Sequence, residues 1–381
     1  MKVPFHKPDI DDREIQAVTK ALRRRMIGTG PIVSSFERKF KEYIGATNAL
    51  AVNSATAALH LAVDALGIGS GDEVITTALT FTSTILAILY TGATPVFADV
   101  NPHTLCLDAA DVEKKITKRT KAILPVHYAG VPCDMDALTA LCKKYNLALI
   151  EDAAHALPTE WKGKKIGSDR SEIKNIACFS FQATKTLAIG DGGMVTTSDS
   201  ELAEIISMKR LFGMKRKQDF TNIDLALQYG VETLGYKYNM TDIEASIGQI
   251  QLEKLEEMYL KRKRAAERYI EKLSHLEEIR IPSIPKEAKV SWHLFVIILN
   301  DEKKRGALLE YLKGKGITAS VHFMPVYEFP YFQPMFPDAK QQLTYTEQVS
   351  KQVVSLPMFP DITEEQIDYV CDELTHFLKM E

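Results

Sequence analysis

Between residues 48 and 197, short runs of apolar residues alternate with segments whose apolar positions recur at helical spacing. The segments predict helices over Thr56–Leu66, Ser83–Tyr90, Ala109–Lys115 and Met135–Lys144. The runs predict strands over Ala49–Val52, Glu73–Thr76, Pro95–Val100, Ala122–Val126, Ala148–Asp152, Ala177–Phe181 and Gly193–Thr197. Apolar strands separated by helices are typical of an α/β fold, a mainly parallel sheet with helices on both faces. Ligands of such sheets bind at the carboxyl ends of the strands.

Beyond this region the pattern becomes that of a smaller α+β unit. Capping boxes at Thr241-Asp242-Ile243-Glu244 and Thr363-Glu364-Glu365-Gln366 predict the starts of a long connecting helix and of a last helix. Ser34-Ser35-Phe36-Glu37 similarly predicts the start of a short helix. Between the two later helices we predict a strand over Trp292–Leu299, a helix over Lys303–Leu312 and a strand over Ile317–Phe323. The expected division is a large domain over residues 1–250, with the N-terminal segment included, and a small domain over 251–381.

Composition narrows the class of protein. The 381 residues are 45% apolar and 25% charged, which is ordinary for globular domains. The net charge is −3, whereas proteins built to hold nucleic acid are markedly basic, so we expect no nucleic-acid partner. The five cysteines form no C-x-x-C pair, which favours reduced thiols over a disulfide scaffold or a zinc cluster.

The chain also lacks a sequence signal for the membrane or for secretion. Its most apolar long stretch, Thr82–Ala98, is interrupted by Gly92 and Pro95 and falls short of the roughly 20 residues that cross a bilayer. The first residues contain no apolar core of signal-peptide length. We therefore expect a cytoplasmic protein with no membrane partner.

Three segments at the ends of predicted strands carry candidate chemistry. The first, Asn53 to His60, places small residues at a strand-to-helix turn, where backbone N–H groups attract phosphate. The same residues also suit a simple capped helix. The second contains Asp152, whose carboxylate could bind Mg²⁺, orient a histidine, hold a protonated ring nitrogen, or merely cap the next turn. Neighbouring His155 has no second His or Cys at ligand spacing, so we expect no metal.

The third segment places Lys185 just after a strand, followed by Gly190, Gly192 and Gly193. Most lysines are solvated surface charges, but a lysine whose pKa is lowered can bind an aldehyde covalently. A phosphate-type helix start, a strand-end Asp and a post-strand Lys at one sheet edge together make the parts of a pyridoxal 5'-phosphate site. There is no Walker A lysine and no G-x-G-x-x-G after a strand, which disfavours nucleotide hydrolysis and dinucleotide binding.

Several motifs resemble those of the DegT/StrS family of nucleotide-sugar aminotransferases, and the similarity covers nearly the whole chain. They are Thr29-Gly30-Pro31, Phe36-Glu37, Gly71-Asp72-Glu73-Val74-Ile75, Thr80-Phe81, Glu151-Asp152-Ala153-Ala154-His155, Ser180 to Lys185 and Gly235-Tyr236-Lys237-Tyr238-Asn239. The resemblance implies the aspartate-aminotransferase fold (fold type I), with a seven-stranded central sheet and pyridoxal phosphate as cofactor. Within the family, residues 125–130, 236–239, 292–295 and 356–361 are most similar to the branch that makes UDP-4-amino-4-deoxy-L-arabinose.

The resemblance also implies a role for individual residues. Lys185 would hold the cofactor aldehyde and Asp152 its pyridine nitrogen. The cofactor phosphate would be bound by the backbone of Ala55 and Thr56 and by the hydroxyl of Ser180. Phe81 would stack on the cofactor ring, and His155 would lie beside it. The resemblance also implies a homodimer with shared sites, in which Asn239 reaches the phosphate of the neighbouring subunit. The expected substrate contacts are Thr29, His322 in the sugar pocket, and Lys215 and Arg216. The last two belong to the basic run 215–217, which could instead be part of the solvated surface.

The predicted activity is transfer of an amino group from an amino acid, L-glutamate, to C4 of a UDP-linked ketosugar, for a cell-surface polysaccharide such as lipopolysaccharide. Lys185 supports transamination, because related dehydratases have histidine at this position. Gln182 and Asp191 depart from the His and Glu that are frequent in relatives. The alternatives are a dTDP- or GDP-4-keto-6-deoxy sugar, reaction at C3, or a non-catalytic regulatory protein that binds pyridoxal phosphate.

Overall fold

The computed structural model describes residues 1–215 and 230–380. Its helices are α1 Asp12–Arg23, α2 Pro31–Ile44, α3 Ala55–Ala65, α4 Thr82–Tyr90, α5 Ala109–Lys115, α6 Met135–Tyr145, α7 Ser200–Lys209, α8 Asp242–Leu273, α9 Lys304–Gly314, α10 Ala339–Gln342, α11 Thr344–Gln352 and α12 Glu364–Leu378. Short 3₁₀ turns occupy Tyr128–Gly130 and Val326–Glu328.

The central sheet contains β1 Asn48–Val52, β2 Glu73–Thr76, β3 Thr94–Phe97, β4 Thr120–Leu124, β5 Ala148–Asp152, β8 Asn175–Ser180 and β9 Gly193–Thr197. The other strands are β6 Glu160–Trp161, β7 Lys164–Lys165, β10 Met214–Lys215, β11 Gly230–Val231, β12 Ile279–Arg280, β13 Ala288–Lys289, β14 Phe295–Leu299 and β15 Val353–Leu356. The seven strands pair in the order β1-β9-β8-β5-β4-β2-β3. Only β9 runs against the rest, because it is antiparallel to both of its neighbours. The mainly parallel seven-stranded sheet predicted from the sequence is confirmed.

Helices cover both faces of this sheet. On one face α3, α4 and α7 pack against strand residues such as Val52, Val74 and Ile150. On the other face α2, α5, α6 and the first half of α8 enclose residues such as Ile75, Leu149 and Phe179. Both faces of the strands are therefore apolar, as expected for a parallel sheet between two helical layers.

A smaller antiparallel sheet, in the order β12-β14-β15, lies toward the C-terminal half of the chain. The second half of α8, with α9 and α12, packs on it through residues such as Tyr269, Leu312 and Leu374. Helix α8 is continuous across residue 250, so it contacts both the large and the small sheet. The domain division at residue 250 stays a prediction.

Some predicted boundaries were wrong. Helix α2 begins at Pro31 and not at Ser34, because proline is well suited to the first helical position and the Asp242 Oδ1 accepts a hydrogen bond from the backbone N–H of Val33 at 3.0 Å. Strand β14 begins at Phe295 and not at Trp292, whose φ of +54° breaks the extended chain. Residues 317–323 form only isolated bridges, at Ile317 and Ser320, in place of the predicted strand. Both capping boxes, at Thr241 and Thr363, are confirmed.

Helix α1, which begins with a capping box of Asp11 and Glu14, was not among the elements predicted from the sequence. In the described part of the chain, no helix has the length and apolar character needed to cross a membrane.

Candidate active site

A cavity of about 620 Å³ opens at the carboxyl ends of the central strands. It is lined by eight of the residues predicted from the sequence: Ala55, Thr56, Phe81, Asp152, His155, Ser180, Lys185 and His322. Strands β5 and β8 end at Asp152 and Ser180, and β9, which runs in the opposite direction, begins at the same edge. The topology of the sheet thus brings together side chains that are far apart along the chain.

One wall of the cavity is the N-terminus of α3. Ser54 caps the helix by accepting a hydrogen bond from the backbone N–H of Ala57 at 3.1 Å. The N–H groups of Ala55 and Thr56, the first two of the helix, have no acceptor within it. Gly193 permits the adjacent strand to pass close by, since a Cβ there would lie 2.7 Å from the Ser54 carbonyl oxygen. With the hydroxyl of Ser180 in the same cavity, this wall is suited to a phosphate group.

Asp152 lies in the floor of the cavity and is only 4% exposed. Its Oδ2 accepts a hydrogen bond from the Thr84 hydroxyl at 2.8 Å, and its Oδ1 accepts one from the backbone N–H of Ala154 at 3.2 Å. Burial raises the pKa of Asp152, while these two hydrogen bonds and the charge of Lys185 act in the opposite direction. Within residues 1–215 and 230–380, no basic side chain forms an ion pair with this carboxylate. Asp152 is therefore suited to a cationic ring nitrogen inside the cavity.

Lys185 belongs to a tight turn that follows β8. Its backbone N–H donates to the Gln182 carbonyl, and the N–H of Ala183 donates to the Gly190 carbonyl, each at 2.8 Å. Burial lowers the pKa of the Lys185 amine to about 8, although Asp152 opposes the shift. At pH 7 about a tenth of this amine is therefore neutral and nucleophilic, far more than for a lysine with the ordinary pKa.

Histidines form much of the remaining wall. The rings of His155 and His293 are buried with their centroids 4.3 Å apart, and Phe323 stacks on His155 at 5.9 Å. Burial lowers the pKa of both histidines well below the usual value, and the charge of Lys185 adds to the effect. Burial likewise lowers the pKa of His322 to about 4, and its Nδ1 lies 2.9 Å from the Ser355 hydroxyl. These imidazoles are neutral at pH 7.

Other predicted residues lie away from this cavity. Asn239 Nδ2 donates to the Thr29 hydroxyl at 2.5 Å, and neither residue lines the cavity. The Asn239 Oδ1 is buried and has no hydrogen-bond partner in the described part of the chain. Lys215 forms a surface ion pair with Glu204 at 2.9 Å. Arg216 and Lys217 lie outside the described residues.

Several residues of the site were given no role from the sequence, and four of them contribute to its chemistry. Thr84 holds Asp152, and Phe5, His6 and His293 line the cavity. Of these four residues, only His293 lies in a segment that the sequence marked as similar to relatives, residues 292–295, and could have been proposed from that similarity. Phe5 and His6 reach the cavity through contacts with distant parts of the chain, which no local pattern reveals.

The DegT/DnrJ/EryC1/StrS aminotransferase family matches residues 8–375. The chain belongs to this family. The aminotransferase is 41% identical to the spore coat polysaccharide biosynthesis protein SpsC of Bacillus subtilis (strain 168), over 99% of this chain and 97% of SpsC.

Solved structures agree with this assignment. S. venezuelae DesV in complex with a ketimine intermediate has a TM-score of 0.92 at 34% identity, over 100% of this chain and 99% of DesV. The putative sugar aminotransferase Spr1654 of Streptococcus pneumoniae, in its PMP-form, has a TM-score of 0.92 at 29% identity, over 99% of each chain. Spr1654 has also been solved in a PLP-form.

This chain is accordingly a sugar aminotransferase that uses pyridoxal phosphate, and it has the fold of the type I enzymes that depend on this cofactor. The cavity fits this cofactor. The partly neutral amine of Lys185 can bind an aldehyde, and the buried carboxylate of Asp152 can pair with a cationic ring nitrogen. The N–H groups at the start of α3 can donate hydrogen bonds to a phosphate. The family, the fold class and the cofactor predicted from the sequence are confirmed. The family assignment favours an enzyme over the alternative hypothesis of a non-catalytic protein that binds pyridoxal phosphate.

Proposed function

We propose that this enzyme transfers the amino group of L-glutamate to C4 of a UDP-linked 4-ketosugar, in the synthesis of an amino sugar for a cell-surface polysaccharide such as lipopolysaccharide. The observation that carries the transamination chemistry is the presence, in one cavity, of Lys185, whose pKa is lowered by burial, and of the buried Asp152, with which no basic side chain of the described residues forms an ion pair. The similarity to SpsC, whose name refers to spore coat polysaccharide biosynthesis, supports the polysaccharide context.

Lys185 is proposed to act as nucleophile and base. Because the pKa of its amine is lowered to about 8, Nζ can bind the cofactor aldehyde and later take the proton from the donor Cα. When bound, pyridoxal phosphate takes up the electrons left at that carbon and carries the amino group between the two substrates. Once the donor amine has displaced it from the aldehyde, Lys185 Nζ would pass this proton to the cofactor side within the glutamate half-reaction. In the half-reaction with the sugar it would take a proton from the cofactor side and deliver it to the keto carbon of the sugar.

Asp152 is proposed to keep the pyridine nitrogen protonated. Its buried carboxylate supplies a negative charge in a medium of low dielectric, where the attraction of a cation is strong. The hydrogen bonds from Thr84 and Ala154 hold both carboxylate oxygens in place. Asp152 therefore orients the ring and favours its cationic form.

The other cavity residues are proposed to bind and orient. Ala55, Thr56 and Ser180 would donate to the phosphate, and Phe81, which is 60% exposed at the cavity mouth, would stack on the ring. His155 would lie beside the ring. His322 would line the sugar pocket, and we retain Thr29, Lys215 and Arg216 as proposed contacts of the substrate.

A homodimer with shared sites is part of the proposal. In it Asn239 of one subunit would reach the cofactor phosphate of the other. Two observations support this arrangement: Asn239 does not line the cavity of its own subunit, and its Oδ1 lacks a partner in the described part of the chain. We also propose a cytoplasmic location, which the supply of nucleotide sugars and glutamate requires.

A spectroscopic experiment tests the reaction in two stages. Glutamate added to the holoenzyme should remove the visible absorption band of the cofactor, and a UDP-4-ketosugar should restore it. The Lys185→Ala variant serves as the control and should show neither change. Recovery only with a dTDP- or GDP-linked 4-keto-6-deoxy sugar, or with a 3-ketosugar, would correct the substrate. A band that no amino acid removes would contradict the proposal.

A further inference from the structure

The N-terminal segment Val3–His6 runs from the small sheet to the cavity. The backbone of Val3 bonds to residues next to α9, since its N–H donates to the Gly316 carbonyl and its carbonyl accepts from the Thr318 N–H. Phe5 stacks on His322 with ring centroids 5.4 Å apart and an angle of 19° between the planes. The Phe5 carbonyl accepts a hydrogen bond from the Met358 N–H at 3.1 Å. The segment is thus held at three points along its length.

His6 completes this path at the turn that carries Lys185. Its Nε2 lies 3.0 Å from the carbonyl oxygen of Ala183, two residues before Lys185. Since a carbonyl can only accept, Nε2 carries the proton and donates it to this bond. The His6 ring also lines the same cavity as the side chain of Lys185.

The surroundings of His6 keep its ring neutral. Burial, together with the charges of Arg262 and Lys185, lowers the pKa of His6 to about 4, although the carbonyls of Ala183 and Met358 oppose the shift. Arg262 is 1% exposed, and its guanidinium donates to the Met358 carbonyl. A neutral ring at this place is a hydrogen-bond donor that adds no positive charge beside the Lys185 amine.

We propose that His6 is a positioning residue for Lys185, which holds the turn 182–185 from the side of the N-terminal segment and closes that side of the cavity to water. This inference rests on the proposed role of Lys185. Without the ring, the Ala183 carbonyl loses its donor and water reaches the Lys185 amine. Because burial is the main cause of the lowered pKa of this amine, its pKa should then rise toward 10.5.

Other titratable groups line the same cavity as Lys185. These groups are Asp152, Asp191, His155, His293 and His322. None of them is altered by a substitution at His6, so a change in the titration of Lys185 can be assigned to the lost ring.

The test measures the pKa of Lys185 in the full-length, cofactor-free protein. An amine-reactive acylating reagent is applied at pH values from roughly 6 to 11, in steps of roughly half a pH unit, a range that includes the pKa values of a buried and of a free lysine. The fraction of Lys185 that has been modified is quantified by mass spectrometry. The midpoint of the curve, and not its plateau, is compared, so that altered access of the reagent does not affect the result. We compare His6→Ala with His6→Gln, whose Nε2 can still donate at the position of the imidazole nitrogen. The matched control is His103→Ala at an exposed histidine outside the cavity.

We expect the midpoint to stay within about 0.3 of the parent in His6→Gln and His103→Ala, and to rise by about one pH unit in His6→Ala. A rise of one unit from 8 leaves about fivefold less neutral amine at pH 8. If His6→Ala fails to fold, His6→Ser, whose small side chain also leaves this side of the cavity open to water, takes its place and should also raise the midpoint. Equal midpoints in the parent and in a folded Ala or Ser variant would overturn the proposal, and so would a Gln variant that behaves like Ala.

The kinetic consequence gives a second readout on the holoenzyme. His6→Ala should lower kcat of the glutamate half-reaction below about pH 9 more than it raises KM for glutamate, with the loss recovered at higher pH. A loss that is independent of pH would contradict the inference. Because the labelling needs no substrate, its failure can be distinguished from an error in the proposed reaction.

Discussion

The hydroxyl of Thr84 donates a hydrogen bond of 2.8 Å to the Oδ2 of Asp152. Thr84 is fully buried in the first turn of α4, and its Oγ1 lies 2.8 Å from the Thr80 hydroxyl. Because the single proton of Thr84 is used on Asp152, Thr80 must be the donor to Thr84. The two threonines thus form a chain of donors that stabilises the ionised form of Asp152 against the effect of burial.

The first prediction concerns this pair. Thr84→Val keeps the shape of the side chain but removes the donor, so the pKa of Asp152 should rise further. A hydrogen bond to a charged group contributes about 1.5–3 kcal/mol. The rate of the glutamate half-reaction, followed by single-turnover absorbance, should therefore fall by about 10- to 100-fold. Thr84→Ser, which retains the hydroxyl, should keep most of the rate, and a Val variant as fast as the parent would show that the bond does not assist Asp152.

Asp152→Asn should retain the cofactor and lose most of the rate. The amide has nearly the shape of the carboxylate but carries no charge, so it cannot hold a proton on the ring nitrogen. Cofactor content is read from the absorption spectrum and the rate from single turnovers with glutamate. Asp191→Asn, at the other carboxylate that lines the cavity, is the matched control and should remain much more active. A near-normal rate in Asp152→Asn would mean that another acid serves the nitrogen.

Lys185→Met should abolish turnover and alter the pH dependence of stability. The pKa of Lys185 is about 8 in the folded protein and 10.5 in the unfolded chain, so the unfolded state binds more protons between these values. The penalty for burying the charged amine is therefore full below pH 8 and vanishes above about 10.5. In the cofactor-free protein, Lys185→Met should be more stable than the parent at pH 7 by about 1–3 kcal/mol, at 1.36 kcal/mol per pKa unit.

Urea unfolding at pH 7 and pH 10.5 checks this difference. The gap between Lys185→Met and the parent should close at the higher pH. Lys118→Met, at an exposed lysine, should change the free energy of unfolding by less than about 0.5 kcal/mol at either pH. A gap that persists unchanged at pH 10.5 would point to packing and not to the charge.

Subunit mixing tests the proposed role of Asn239. Lys185→Ala and Asn239→Ala homodimers should each be nearly inactive. In a heterodimer one composite site has both an intact Lys185 and an intact Asn239, so mixing should restore activity. Each parent mixed with itself under the same exchange conditions is the control. No recovery despite demonstrated exchange would argue against a shared site.

The basic run 215–217 should affect the sugar substrate alone. Replacing Lys215, Arg216 and Lys217 by Gln should raise KM for the nucleotide sugar and leave the glutamate half-reaction unchanged. The expected loss is about 1.5–3 kcal/mol per charged hydrogen bond to the diphosphate. Glu204→Gln, which frees Lys215 from an exposed ion pair of little energetic value, should not raise KM. Equal KM values in the triple variant and the parent would assign the run to the solvated surface.

The sequence by itself predicted the strands of the central sheet, the helices between them and eight of the residues that line the cavity. Short apolar runs and helical periodicity are local properties, so they predicted the central strands and the helices between them. The side chains of Asp152, Ser180 and Lys185 could be placed at one edge because the carboxyl ends of parallel strands lie together in any such sheet. The capping boxes at Thr241 and Thr363 were also readable, since a cap involves only residues three positions apart.

The tertiary structure decided what depends on contacts between distant residues. The strand order, with β9 inserted antiparallel between β1 and β8, follows from packing of whole layers and has no signature in any one segment. Thr84 reaches Asp152 across 68 positions, and His6 reaches the turn of Lys185 across 177. A threonine in an apolar helix and a histidine near the N-terminus look ordinary in the sequence. Their neighbours become known only when the sheet closes around the cavity, because burial and hydrogen bonding there are properties of the assembled layers and not of the local chain.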